Sequence, residues 1–303
     1  MTVALPQLLA PELLEHARRL EARARELVRG SGHGVHRSSR LGGGSEFSEY
    51  KAYSPGDDLR SLDWKVAARR DQLLVRRFES DRRSDVHIVL DRSASMGFGT
   101  TERSDPAPWG GPWPSSKWEL ARLLALTLGF VFLRQGDRVG LSLVDGRGGR
   151  PSAPRAGLRQ LGELAHRIVA EPPEGEGAIG RSLEELLFRS RSGIVIVLSD
   201  LLTEKPLLPA LSAHVGRGRE AWVFHVVDPA EIEFPYEEPT RFVDLETSEE
   251  MSLNPREFGR SYRAEFAAFL DRQERDCLDA RVRYRRLRTD APMDVALREF
   301  LVR

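Results

Sequence analysis

Asp91, Ser93 and Ser95 stand two residues apart, directly after the apolar run Val86–Leu90, with Gly97 and Gly99 close behind. In an extended segment, residues at i, i+2 and i+4 project to the same side. One carboxylate and two hydroxyls therefore share a side of a strand-to-helix turn. Hard oxygen donors of this kind suit Mg²⁺ or Mn²⁺, which keep several waters and need few protein ligands. The same residue types also make ordinary caps, with Asp91 or Ser93 closing a helix N-terminus and Ser95 satisfying backbone groups.

The elements that must position these residues are legible from residue 85 onward. Apolar runs predict strands at Val86–Leu90, Val139–Val144, Ile194–Leu198, Ala221–Val227 and Val282–Leu287, with a short one at Phe242–Leu245. Helical spacing predicts helices at Lys117–Leu133, Leu158–Val169, Ile179–Phe188, Leu207–Val215, Arg256–Leu278 and Met293–Leu301. Alternation of this kind predicts an α/β fold, a doubly wound, mostly parallel sheet flanked by helices. Such sheets bind ligands beyond the carboxyl ends of their strands, where the strand order reverses. Asp91 and Asp200 both fall at predicted carboxyl ends and are expected to meet in one crevice. Asp228, followed by Pro229, reads as a turn cap.

Ahead of this domain, residues 6–29 have the apolar spacing of an amphipathic helix, and 31–84 read as a β-rich arm. The expected organisation is thus residues 1–84 as N-terminal helix and arm, and 85–303 as the α/β domain. Residues 98–116 interrupt the pattern with Gly, Pro and Ser. Trp109 and Trp113 in that loop serve either as partner anchors or as local pins.

Composition narrows the function classes. The chain has 303 residues, 40% of them hydrophobic, enough for a sizeable core. Lys plus Arg and Asp plus Glu are equal at 46 each, so no global basic charge argues for nucleic acid. Cys277 is the only cysteine, which leaves no internal disulfide or thiolate metal site. No signal peptide or membrane-spanning run is visible, and a cytoplasmic protein is the expectation. The hydrolase elbow Gly-x-Ser-x-Gly is absent around Ser93 and Ser95, and Gly42–Gly44 are not followed by the Lys of a phosphate loop. No base is visibly paired with a nucleophile, so the chain is expected not to be an enzyme.

Two motifs carry a resemblance. Asp91-x-Ser93-x-Ser95 after a first strand, with Asp200 after Ile-Val-Leu-Ser, resembles the metal-ion-dependent adhesion site (MIDAS) of von Willebrand factor A domains. Upstream, Tyr53-Ser-Pro-Gly56-Asp57-Asp58-Leu-Arg60-Ser-Leu-Asp63-Trp64 is similar to the signature of the domain of unknown function 58 (DUF58) family. That resemblance covers the chain from about residue 12 to its end. It implies a von Willebrand factor A-like fold and a protein-protein interaction role as adaptor or chaperone-like partner of a MoxR-type AAA+ ATPase. It also implies a Mg²⁺ or Mn²⁺ ion at Asp91, Ser93, Ser95 and Asp200. One departure stands out: Gly177 occupies the position of the motif's threonine, and if the site is degenerate, Gly177→Thr is expected to create or tighten metal binding that the native chain lacks. The charged signature reads as a structural clasp in which Trp64 supplies apolar area. The alternatives are a phosphatase-like metal-dependent hydrolase using the same crevice, and a scaffold whose site is degenerate.

Overall fold

A computed structural model describes residues 46–53, 62–64, 66, 73–79, 84–105, 107, 113–175, 177, 179–189, 192–203 and 206–293. Two compact units divide it, His36–Arg83 and the part from Ser84 onward. The helix expected at 6–29, the signature residues Gly56, Asp57, Asp58 and Arg60, Trp109 and most of the helix expected at 293–301 lie outside the described residues.

The first unit contains an antiparallel pair, β1 (Glu46–Ala52) and β2 (Leu74–Glu79), with a register shift between Phe47 and Glu49. The end of the signature joins this ladder. The Tyr53 amide donates to Leu73 O at 2.8 Å, the Asp63 amide to Leu74 O at 3.0 Å, and Leu62 bridges to Val75. Asp63 is buried, and its Oδ1 accepts from the Val66 amide at 3.2 Å. Trp64 is 66% exposed, and the buried Leu62 and Asp63 hold this end of the signature to β2.

The second unit is built on a six-stranded sheet of order β10-β7-β6-β3-β4-β5. Its strands are β3 (Asp85–Asp91), β4 (Arg138–Asp145), β5 (Gly148–Pro151), β6 (Ile194–Ser199), β7 (Glu220–Val227) and β10 (Arg283–Arg288). All neighbours are parallel except β4 and β5, which pair antiparallel at one edge. The helices are α1 (Lys117–Arg134), α2 (Arg159–Ala170), α3 (Ile179–Arg189), α4 (Leu208–Gly216), α5 (Pro229–Glu233) and α6 (Pro255–Asp279). The central strands are buried on both faces, which is why they read as continuous apolar runs rather than alternating ones. One core cluster joins Ile88, Leu90 and Phe224 to α1 and α2, and another joins Val89, Val197 and Val223 to Leu183 and Leu211.

A separate antiparallel hairpin, β8 (Thr240–Val243) and β9 (Glu250–Leu253), precedes α6. Its base is held by aromatic side chains: Phe242 stacks on Phe234 at 5.7 Å and meets Tyr236 edge-on at 5.2 Å. Phe234 in turn lies 4.5 Å from Tyr262 of α6. The 98–116 loop is tied down where it is described. Trp113 is buried under the Arg103 guanidinium, 4.0 Å from the ring centroid, and acts as a local pin rather than an exposed anchor. No helix among the described residues is long and apolar enough to cross a membrane.

Candidate functional site

Strand order reverses between β3 and β6: from β3 the sheet grows through β4 in one direction and through β6, β7 and β10 in the other. Asp91 ends β3 and Asp200 follows β6, so the two aspartates separated by more than a hundred residues meet at the switch point, as the strand assignment implied. Ser93 and Ser95 lie in the next turn, where Ala94–Gly97 form a short 3₁₀ helix. Ser93 makes no side-chain cap bond there, so the capping reading of its hydroxyl does not apply.

The geometry is compact. Asp91 Oδ1 accepts from the Ser93 amide at 2.9 Å, and Oδ2 accepts from the Ser199 hydroxyl at 2.6 Å. The Ser93 and Ser95 hydroxyl oxygens are 2.9 Å apart. Ser199 Oγ also accepts from the Leu201 amide at 2.9 Å, and Leu201 sits in the left-handed region at φ 58°. A buried leucine held there stores strain of about 1–3 kcal/mol, of the kind that clusters at functional sites.

Asp200 carries a partner that its sequence context concealed. Lys117, the first residue of α1, is wholly buried, and its ammonium donates to Asp200 Oδ2 at 2.7 Å and to Glu231 Oε1 at 2.6 Å. The other Asp200 oxygen accepts from the Leu202 amide at 3.1 Å. Glu231 is fixed by a reciprocal capping box at the start of α5, its Oε2 accepting from the Asp228 amide at 2.8 Å. Asp228 is indeed a cap, accepting also from Thr100 and Thr289. Burial alone would lower the Lys117 ammonium; Asp200 and Glu231 outweigh it and hold the group above the ordinary lysine value, so it stays charged. Burial, opposed by Lys117, raises Glu231.

Two of the site's carboxylates, Asp200 and Glu231, thus share one ammonium. Asp91 is the one without a cationic partner among the described residues, and it is almost entirely buried. Burial, reinforced by the charge of Asp200, pushes its carboxyl up to about 7 against the pull of hydrogen bonds from Ser199 and Ser93. A buried carboxylate lacking a counter-charge, beside two adjacent hydroxyls, fits a hard divalent cation. Asp91, Ser93 and Ser95 are the residues that would hold it, whereas the charge of Asp200 is already met by the Lys117 ammonium. Among the described residues no group of three or more His, Cys, Asp or Glu could hold a metal, so such an ion would depend on the serine hydroxyls and water.

Gly177 is brought to the same place by its loop. The Ala94 amide donates to Gly175 O at 3.0 Å and the Glu174 amide to Arg92 O at 2.8 Å. Arg92 itself pairs with Asp145 at the end of β4. The Gly177 amide donates to Glu246 Oε2 at 2.8 Å, at the tip of the β8–β9 hairpin. Lys117, Glu231, Ser199 and Glu246 are therefore site residues that the motif did not name. Lys117 had one signal: a cation opening a helix otherwise almost wholly apolar. Glu231 had another, the Asp-x-x-Glu spacing from Asp228. A cavity of about 330 Å³ opens among Ser95, Phe98, Lys117, Leu202, Glu231 and Glu246.

The fold and crevice define an α/β protein with an oxygen-rich, net-acidic site at the switch point of its sheet. The chain belongs to the family described as protein of unknown function DUF58, whose family model matches residues 49–276. It is 30% identical over 252 residues to the uncharacterized protein Rv1480 of Mycobacterium tuberculosis, covering 81% of this chain and 75% of that one. The uncharacterized protein Mb1516 of Mycobacterium bovis matches equally. A shorter stretch of 46 residues, 15% of this chain and 12% of the other, is 44% identical to the uncharacterized protein YeaD of Bacillus subtilis. Among solved structures, the conserved hypothetical protein BatB of Bacteroides thetaiotaomicron aligns with TM-score 0.44 at 18% identity, over 71% of this chain and 96% of that one. An aerotolerance-related membrane protein of Bacteroides fragilis aligns with TM-score 0.43 at 17% identity, over 72% and 98%.

Proposed function

We propose that this chain is a noncatalytic protein-interaction module of von Willebrand factor A type, working in the cytoplasm as an adaptor or chaperone-like partner of a MoxR-type AAA+ ATPase. The observation that carries the proposal is the crevice itself: Asp91, buried without a counter-charge among the described residues, beside the paired hydroxyls of Ser93 and Ser95 at the switch point. A divalent cation there supplies the missing charge and a position at which a partner's oxygen ligand can be fixed. This chain's own residues do the rest. Ser199 and the Ser93 amide orient the Asp91 carboxylate, and Lys117 neutralises part of the acidity behind it. Most of the binding free energy would come from the surface around the crevice, with the site setting register and orientation.

The Ser93 and Ser95 hydroxyls bond each other, an arrangement that suits a pair of oxygen ligands on one ion. The test is binding of the purified chain to a MoxR-type ATPase encoded in the same genome. In Mg²⁺ the native chain is expected to bind, and Asp91→Ala or excess EDTA to weaken binding by about tenfold or more. Equal affinity in all three conditions contradicts metal-linked recognition. Turnover of a phosphoester that disappears in Asp91→Ala would instead establish the hydrolase reading.

A further inference from the structure

The crevice resembles an adhesion site that lacks one side chain, and the structure contains a replacement for it. At Gly177 a methyl group would fit only if its neighbours gave way by a few tenths of an ångström. An added Cβ would stand 3.0 Å from Glu246 Oε1 and 3.0 Å from the Leu202 carbonyl oxygen. The space that a residue at 177 would fill with its side chain is occupied by a carboxylate from elsewhere in the chain.

That carboxylate is held in place rather than passing by. The hairpin that carries it is anchored at its base by Phe234, Phe242 and Tyr262. Its tip is organised by Asp244, whose Oδ1 accepts from the Glu246 amide at 2.7 Å and the Thr247 amide at 2.9 Å. Ser248 closes the turn in the left-handed region at φ 61°, its amide donating to Asp244 O at 2.9 Å. One Glu246 oxygen then accepts from the Gly177 amide at 2.8 Å. The other, Oε1, is buried and has no hydrogen-bond partner among the described residues. A buried carboxylate oxygen without a donor costs on the order of 1–3 kcal/mol or more unless something supplies the missing interaction. It lies in the wall of the same cavity as Ser95 and Lys117.

We propose that Glu246 replaces the absent threonine: the hairpin delivers a carboxylate in cis that completes the ligand set of a divalent cation held by Asp91, Ser93 and Ser95. The glycine at 177 then leaves the carboxylate its place, because a larger residue would press on Glu246 and on the Leu202 carbonyl. The inference rests on the metal reading of the crevice. It also revises the expectation for Gly177→Thr, which alone should displace the carboxylate and weaken the site.

The experiment is calorimetric titration of Mn²⁺ into the full chain and into Glu246→Gln, Gly177→Thr and the double variant Gly177→Thr/Glu246→Ala. Gln keeps an acceptor for the Gly177 amide, so Glu246→Gln should fold as the native chain does while losing the charge. Expected are native binding, a loss of about tenfold or more in Glu246→Gln, a comparable loss in Gly177→Thr, and recovery in the double variant, where the hydroxyl enters vacated space. Native affinity in Glu246→Gln overturns the proposal and leaves the metal reading standing. Tighter binding in Glu246→Gln also overturns it, since Glu246 would then be a plug and not a ligand. Absence of Mn²⁺ binding by the native chain overturns the metal reading and this inference together.

Discussion

Replacing Lys117 with methionine is expected to cost the folded state about 3–5 kcal/mol at pH 8, the range for removing one partner of a buried ion pair. Methionine fills most of the lysine's volume, so the loss is electrostatic. It leaves Asp200 and Glu231 facing each other without the ammonium that both now contact. Protonation of Glu231 should become easier, because Lys117 no longer opposes the burial that already raises its carboxyl. A raised carboxyl pKa gives stability that is present at low pH and lost as pH rises through the folded value. Lys117→Met should therefore approach the native chain in stability on acidification from pH 8 to pH 5, measured by urea denaturation. Adding Glu231→Gln, which preserves an acceptor for the Asp228 amide, should recover a substantial part of the loss. A change below about 1 kcal/mol in Lys117→Met, as for an exposed pair, would mean that water reaches these carboxylates.

Asp91→Asn should shift stability in the opposite direction. The native carboxyl is pushed up to about 7 by burial and by Asp200, against about 3.9 in the unfolded chain. Folding therefore takes up a proton between those values, and the native state loses stability as pH rises from about 4 to about 7. An amide carries no charge to penalise. In EDTA, Asp91→Asn should match the native chain near pH 4 and exceed it by about 2–4 kcal/mol at pH 8. Mg²⁺ should narrow or reverse that gap, because only the native chain gains from binding the ion. Thermal unfolding at pH 8 with and without Mg²⁺ reads both effects. A native chain more stable than Asp91→Asn in EDTA would show that Ser199 and the Ser93 amide compensate the buried charge fully.

Much of this arrangement is legible in the amino-acid order. Continuous apolar runs mark the strands because the central sheet is covered on both faces, whereas the order of the strands, with its reversal between β3 and β6, is seen only in the fold. The meeting of Asp91 with Asp200 is a consequence of that topology. The edge strand β5 was not legible, because its four residues, Gly148–Pro151, have neither apolar period nor strand composition. Lys117 was obscured by its position at the start of a helix, where a charged residue is ordinary, so that only the apolar character of the rest of the helix hints that the side chain turns inward. Glu246 was hidden by distance: it is 69 residues from Gly177, and only the folded hairpin brings the two together. Gly177 read as a loss when considered alone. With the hairpin in place it is the gap that Glu246 fills.

The measurement that tests the account most directly is calorimetric titration of Mg²⁺ and Mn²⁺ into the native chain, with Asp91→Ala as control. Saturable binding at one site, lost in Asp91→Ala, is the predicted result. No binding to the native chain, or binding that persists in Asp91→Ala, would contradict an ion at Asp91, Ser93 and Ser95.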